Sequence, residues 1–407
     1  MKVSSTKVSI APSGVFYLDG YLNDVRQLPG IGIHDDPYAI LLLLEEGGER
    51  VLFVGIDVCQ VSLSRTKKMR ALLSSLLDVR DELVVISAVH SHSCPNGLRD
   101  GSSISHDTPG YEDLVTGLVV QAASRLSERL TEAKPEILST RINGWYSNRN
   151  DKNKPFDDQA FIVRFVADDG SVVGAMQNFN CHSTVVGPFN RLITSDLQGS
   201  VRTLLAPWVG ITPYAFTGAS GDLGNRQFRR GDGFDELQRT AVGISAEFMR
   251  GSFEPVELGV PTVREFIHDV DYDNRQFFAR YKELLNEAKQ TLADDSSTAT
   301  AKKLARTEVR RLSEKLEIDH VQFPIVMRVI DFGGIVFVTF PGELGSVLGM
   351  RIKSMFLPRR CIVVGYANDA QGYFVPSEDF GLGYESFVTK LPRGGIESVL
   401  DEFEEWL

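Results

Sequence analysis

The stretch that decides the fold is Val84–Gly97, VVISAVHSHSCPNG. Val84, Val85 and Ile86 form a β-branched apolar run that predicts a buried strand, and Cys94, Pro95, Asn96 and Gly97 break the chain into a loop. If the segment is extended, His90 and His92 project to the same face and reach one site. Neutral imidazole is the commonest transition-metal ligand, so a metal is the functional reading of the pair. Two hydrogen-bonded structural histidines is the other, because two ligands do not make a site.

Outward from this strand the chain reads as hairpins and helices. Tyr38–Leu44 (YAILLLL) and Val51–Val58 (VLFVGIDV) are predicted strands joined by Glu-Glu-Gly-Gly-Glu-Arg. Met69, Leu72, Leu73, Leu76 and Leu77 fall on one helix face. After the histidines, Pro109 opens a second predicted helix with a stripe of Leu114, Leu118, Ala122, Leu126 and Leu130, ended by Pro135. A second hairpin pairs Ala160–Val166 with Val172–Phe179 and runs into Asn180-Cys181-His182; a third pairs Ile325–Ile330 with Ile335–Phe340 and runs into Pro341-Gly342-Glu343. Another run, Cys361–Val364, leads towards Tyr373. A ligand-capable side chain thus follows several apolar strands where the chain leaves the sheet, which is where rigid scaffolds place chemistry. Phe277 to Ala288 and Leu304 to Leu316 predict two amphipathic helices, read as a hairpin packed on the body or on a partner subunit, and the chain ends in an acidic helix, Ile396–Leu407. The expected fold class is α/β: mixed sheets built from hairpins and flanked by helices, within one catalytic domain over 1–407 that carries an inserted helical hairpin at 272–318.

The 407 residues can bury a large core, and 43% hydrophobic with 24% charged residues is ordinary for a globular protein. A net charge of −11 argues against nucleic acid or an anionic bilayer as main partner. The start, MKVSSTKVSIAPSG, lacks a signal-peptide apolar run and no stretch is long enough to span a bilayer, so a cytoplasmic location without stable membrane association is expected. The four cysteines, Cys59, Cys94, Cys181 and Cys361, are scattered without CxxC spacing and predict buried thiols.

Four segments together resemble the neutral (non-lysosomal) ceramidases. SAVHSHSCPNG at 87–97 is similar to that family's histidine motif, and NCHSTVVGPFNRLITSDLQG at 180–199 to its second histidine segment. FPGELG at 340–345 resembles its Pro-Gly-Glu segment, and the run from Asn368 through Gly372-Tyr373 to Tyr384-Glu385 its tyrosine segment. The segments occur in the family's order. The resemblance implies one zinc on His90, His182, Glu343 and Tyr373; two imidazoles, a carboxylate and a weak oxygen leave such an ion Lewis-acidic. It also places His92 and Arg149, in SNRN, against a polarised carbonyl, with Tyr384 nearby. Each residue has a structural reading as well: Glu343 at a helix start, His182 in a core hydrogen bond, Tyr373 as packing, Arg149 paired with Asp151. His34 is expected no closer than the surroundings of the site.

One departure bears on mechanism. The family carries a nucleophilic serine in Gly-Asp-X-Ser-Pro-Asn; here the stretch is Ser220-Gly221-Asp222-Leu223-Gly224-Asn225, and Gly224 stands at the serine's place. Asp222 is retained and is expected, like Asp196, to orient ligands or substrate, though capping also explains Asp196. The function expected is a zinc-dependent hydrolase that cleaves an amide, less readily an ester, of a small soluble substrate, with homo-oligomerisation possible. The alternatives are a zinc-dependent lyase or lactone-opening enzyme, and a catalytically silent member that binds a ligand or partner.

Overall fold

The computed structural model describes residues 1–100 and 106–407, and the chain divides into two compact units: Met1–Glu265 with Arg328–Gln371, and Phe266–Met327 with Gly372–Leu407. The first unit is built on strands β1 (Lys2–Ser9), β2 (Tyr38–Glu46), β3 (Glu49–Ile56), β4 (Val84–Ala88), β5 (Thr131–Arg141), β6 (Gln159–Ala167), β7 (Val172–Phe179) and β8 (Tyr214–Thr217). They run β8-β7-β6-β5-β1-β2-β3-β4 across one sheet, antiparallel except for the parallel pairs β8/β7 and β3/β4. The β2/β3 hairpin pairs Leu44 with Val51 across Gly47 and Gly48, both left-handed, as a tight hairpin turn requires. The α/β class expected from the sequence is borne out.

Alternation along β5, β6 and β7 sends successive side chains to two cores. Ile137, Val163 and Met176 join the core that includes Met69, Leu73 and Leu77 of helix α1 (Leu63–Leu77) and Val115 and Val119 of α2 (Tyr111–Ala123). Their neighbours Leu138, Ile162 and Ala175 join the core formed with Leu197, Val201 and Leu205 of α3 (Asp196–Val209) and Leu237, Ile244 and Phe248 of α4 (Phe234–Met249). Helices therefore cover both faces of the sheet. The second predicted helix is shorter than its apolar stripe: it ends at Ala123, and Leu126 packs into the first core from the turn that follows. Pro135, read as a helix terminator, lies inside β5, where its carbonyl accepts from the Val256 amide.

A further parallel pair completes the unit. β9 (Ile335–Thr339) lies antiparallel to Arg328–Asp331 and parallel to β10 (Arg360–Val364), with α5 (Ser346–Met355) between them in the chain. The second unit contains the helices Phe278–Ala293 and Ala299–Leu316, within the 272–318 segment, and the C-terminal helix Gly395–Trp406, which buries Ile396, Val399, Leu400 and Phe403. All four cysteines are buried free thiols. No helix among the described residues is long and apolar enough to cross a membrane.

Candidate metal centre

Each side chain of the centre sits just past the C-terminal end of a strand. Cys59 and Gln60 follow β3, His90 follows β4, His182 follows β7, Ser220 follows β8, Glu343 follows β9 and Tyr366 follows β10. The extended segment expected from the sequence is not found at His90: its φ of 60° places it in the left-handed region, where the chain turns after β4. Ser91 then makes a parallel bridge with Ser183, and the His92 amide donates to the Ser183 carbonyl, so the two histidine segments are tied backbone to backbone.

Three of the four expected ligands meet. Glu343 Oε2 lies 3.2 Å from His90 Nε2 and 3.2 Å from His182 Nε2. All three side chains are buried. The opposite ring nitrogens are spoken for: His90 Nδ1 is 2.9 Å from the Cys59 carbonyl and His182 Nδ1 is 2.8 Å from the Ser220 carbonyl. A carbonyl only accepts, so each Nδ1 carries the proton, and a neutral ring then turns a bare lone pair at Nε2 towards the carboxylate. Burial, reinforced by Arg149, pushes the His182 pKa down to about 4, which keeps that ring neutral. Lone pairs on two rings and a carboxylate facing one another repel unless a proton or a metal ion lies among them. Donor atoms about 3.3 Å apart are what a tetrahedral ion with bonds of about 2.0–2.1 Å needs. The residues present therefore fit a metal ion such as zinc.

The walls of the centre contain residues that the sequence did not single out. Tyr366, itself left-handed at φ 53°, stacks on the His90 ring at 4.2 Å, and its hydroxyl lies 2.8 Å from Ser220 Oγ. Gln60 Nε2 donates to Glu343 Oε1 at 2.8 Å. The pattern of apolar strand followed by polar side chain marks Gln60 and Tyr366 as it marks His90, and was the signal that could have found them.

His92 is brought to the centre, with Nε2 3.1 Å from His90 Nε2 and its ring edge-on to Tyr21. Burial drives its pKa well down, with His90 and His182 adding to the effect, and its Nδ1 is buried without a hydrogen-bond partner among the described residues. Gly20, at φ 93°, lies flat against this ring: a Cβ there would stand 2.4 Å from His92 Cγ, so only glycine allows the approach. Arg149 is half-buried; its amide donates to the Asp222 carbonyl, and its side chain packs beside Gly224. Asp222 faces protein: its carboxylate accepts from the Ser346 amide and hydroxyl and from Asn148 Nδ2, capping α5 just after Glu343. Asp196 likewise accepts from the amides of Val185, Val186 and Leu197, and burial raises its pKa to about 6. Ser220, four residues before Gly224, spends its hydroxyl on Tyr366. His34 stacks on Phe234 at the surface. Tyr373 and Tyr384 belong to the second unit, where their rings meet edge to face at 5.7 Å.

Fold and site thus define an α/β protein with a buried cluster of imidazoles and a carboxylate that could hold a cation. Residues 16–210 match the family described as neutral/alkaline non-lysosomal ceramidase, N-terminal, so the resemblance read from the sequence is borne out over that span. The neutral ceramidase of Oryza sativa subsp. japonica is 25% identical over 216 residues, 48% of this chain and 27% of that protein. That of Drosophila pseudoobscura pseudoobscura is 29% identical over 208 residues, 46% of this chain and 29% of its own length. The matched segment is therefore less than a third of these relatives. The crystal structure of neutral ceramidase from Pseudomonas aeruginosa superposes with a TM-score of 0.76 at 19% identity, covering 99% of this chain and 73% of that one, and it shows the same fold. His90 and His182 lie inside the family match; Glu343 lies outside it and is joined to them by the fold.

Proposed function

We propose that this chain is a zinc-dependent hydrolase that cleaves an amide bond, less readily an ester, of a small soluble substrate. The observation that carries this is the convergence of His90 Nε2, His182 Nε2 and Glu343 Oε2, all acceptors, in a buried site. A zinc held by these residues would polarise the substrate carbonyl and make water a competent nucleophile near neutral pH.

The chain's own residues supply the rest. His92, kept neutral by burial, takes the proton released as water adds its oxygen to the carbonyl carbon, and hands it to the departing nitrogen. Arg149, beside Gly224, offers its guanidinium to the oxyanion or to a substrate carboxylate. Asp222 holds the start of α5 and so fixes the loop that carries Glu343. With Gly224 at the place of the family's serine, direct addition of water, with no acyl group passed to the protein, is the route these residues support. The overall negative charge favours a soluble N-acyl compound over a substrate held in an anionic bilayer.

The test combines metal analysis with turnover in ¹⁸O-labelled water. About one zinc per chain is expected, with one labelled oxygen in the released acid, and soluble N-acyl amides should turn over faster than ceramide. His182→Ala should lose both metal and activity. Full activity in metal-free protein would overturn the proposal, and so would a product without solvent oxygen.

A further inference from the structure

Glu343 does not present its two oxygens alike. Oε2 faces both imidazoles at 3.2 Å, whereas Oε1 accepts from Gln60 Nε2 at 2.8 Å. Both side chains are buried, Gln60 at 6% exposure and Glu343 at 4%, so water does not readily replace a lost partner. The carboxylate is an acceptor only, which fixes the orientation of the amide: Gln60 must turn its NH₂ towards Glu343.

A neutral donor suits this position. Lysine or arginine there would bring a full positive charge beside the cation site, and an apolar residue would leave a buried carboxylate oxygen unpaired. The amide instead ties down one oxygen without adding charge, and leaves the other free to ligate. We infer that Gln60 is a positioning residue that makes Glu343 a one-oxygen donor, holding Oε1 away from the metal and thereby keeping a coordination position for substrate or water. The inference rests on the proposed metal site and adds to it the residue that sets how the carboxylate is used. Partners that orient a metal's ligands are typically worth about 10–100-fold in metal affinity.

The test is zinc affinity by chelator competition on the full chain, together with the d–d spectrum of the cobalt-substituted protein. Gln60→Leu keeps the bulk and removes the donor; Gln60→Met removes it with an unbranched side chain of similar length. We expect zinc affinity to fall about tenfold or more in both Q60L and Q60M, with weakened cobalt bands as the freed oxygen turns onto the metal. The thermal midpoint of metal-free Q60L should stay close to that of metal-free wild type, which separates loss of positioning from loss of fold. Should Q60L not fold, Q60M carries the same comparison. Zinc affinity within twofold of wild type in the folded variants, with an unchanged cobalt spectrum, would overturn the role of Gln60 and leave the metal site standing. A wild-type protein that takes up no zinc would overturn both.

Discussion

Two buried polar clusters lie in the first unit, and they solve the problem of interior charge in opposite ways. Around Asp57, Arg202 forms a two-pronged pair at 2.8 and 2.7 Å, and Ser195 Oγ and the Tyr38 amide complete the carboxylate's bonding. Burial alone would lower the Arg202 pKa, but Asp57 holds it above its ordinary value. That cluster brings its own positive charge. Around Glu343 the neighbours are two imidazoles and an amide, and no arginine or lysine pairs directly with the carboxylate in the described bonds. One cluster is electrically closed by an arginine; the other sets its carboxylate among imidazoles, as the proposed metal site requires. Asp196 offers a third solution, a buried carboxyl held by three amides and raised in pKa.

The contrast can be broken at its largest point by removing one partner from each cluster. Arg202→Met strands Asp57 and should cost about 3–5 kcal/mol of stability, read by denaturant unfolding, while the folded fraction still binds metal. Glu343→Gln should do the reverse: metal stoichiometry collapses, and metal-free stability holds or improves because two lone pairs no longer face a carboxylate. If Glu343→Gln destabilised the metal-free protein as strongly as Arg202→Met does the other cluster, the two clusters would be of one kind.

Asp196 sharpens the comparison through pH. Its carboxyl titrates at about 6 in the folded chain and at about 3.9 when unfolded. The folded state therefore takes up the proton first, and this group adds stability as pH falls from about 7 to about 4, by up to about 3 kcal/mol. Asp196→Asn removes the titration, so wild type should gain on the variant across that window; a difference that does not move with pH would contradict this. Tyr366→Phe tests a smaller effect. It removes the hydroxyl bond to Ser220, whose carbonyl holds His182, but keeps the ring stacked on His90. A loss of about 1 kcal/mol with weaker zinc binding is expected, against no change at the Asp57 cluster. The smallest effect belongs to Gly224→Ser. A Cβ there would meet Arg149 Cβ at 3.7 Å, ordinary contact, so the backbone and packing admit the side chain and the thermal midpoint should fall less than in Tyr366→Phe. A large destabilisation would show that glycine is required at 224 by the fold itself.

Much of the scaffold was legible because alternation and turn residues act locally. The hairpins Tyr38–Glu46 with Glu49–Ile56, and Gln159–Ala167 with Val172–Phe179, follow from apolar runs flanking Gly-Gly and Asp-Asp-Gly. Helix ends were less so: Leu126 carries helical spacing yet serves the core from a turn, since burial does not distinguish the two. At the centre, His90, His182 and Glu343 stood out through the order of short motifs, which single residues would not have provided. Gln60 was passed over because glutamine is a poor metal ligand and its importance lies in whom it touches. The left-handed turns at His90 and Tyr366 had no signature, as neither residue is glycine or asparagine. Arg202 and Asp57 lie 145 residues apart, and no local pattern links them.

The twist at His90 has a consequence for how this protein would respond to selection for robustness alone. A glycine at 90 would hold the same left-handed backbone at less steric cost, while taking away the imidazole. Variants recovered purely for heat tolerance should therefore include changes at 90 that leave a sturdier but inert molecule, and such drift would mark the position as one where folding and chemistry pull apart.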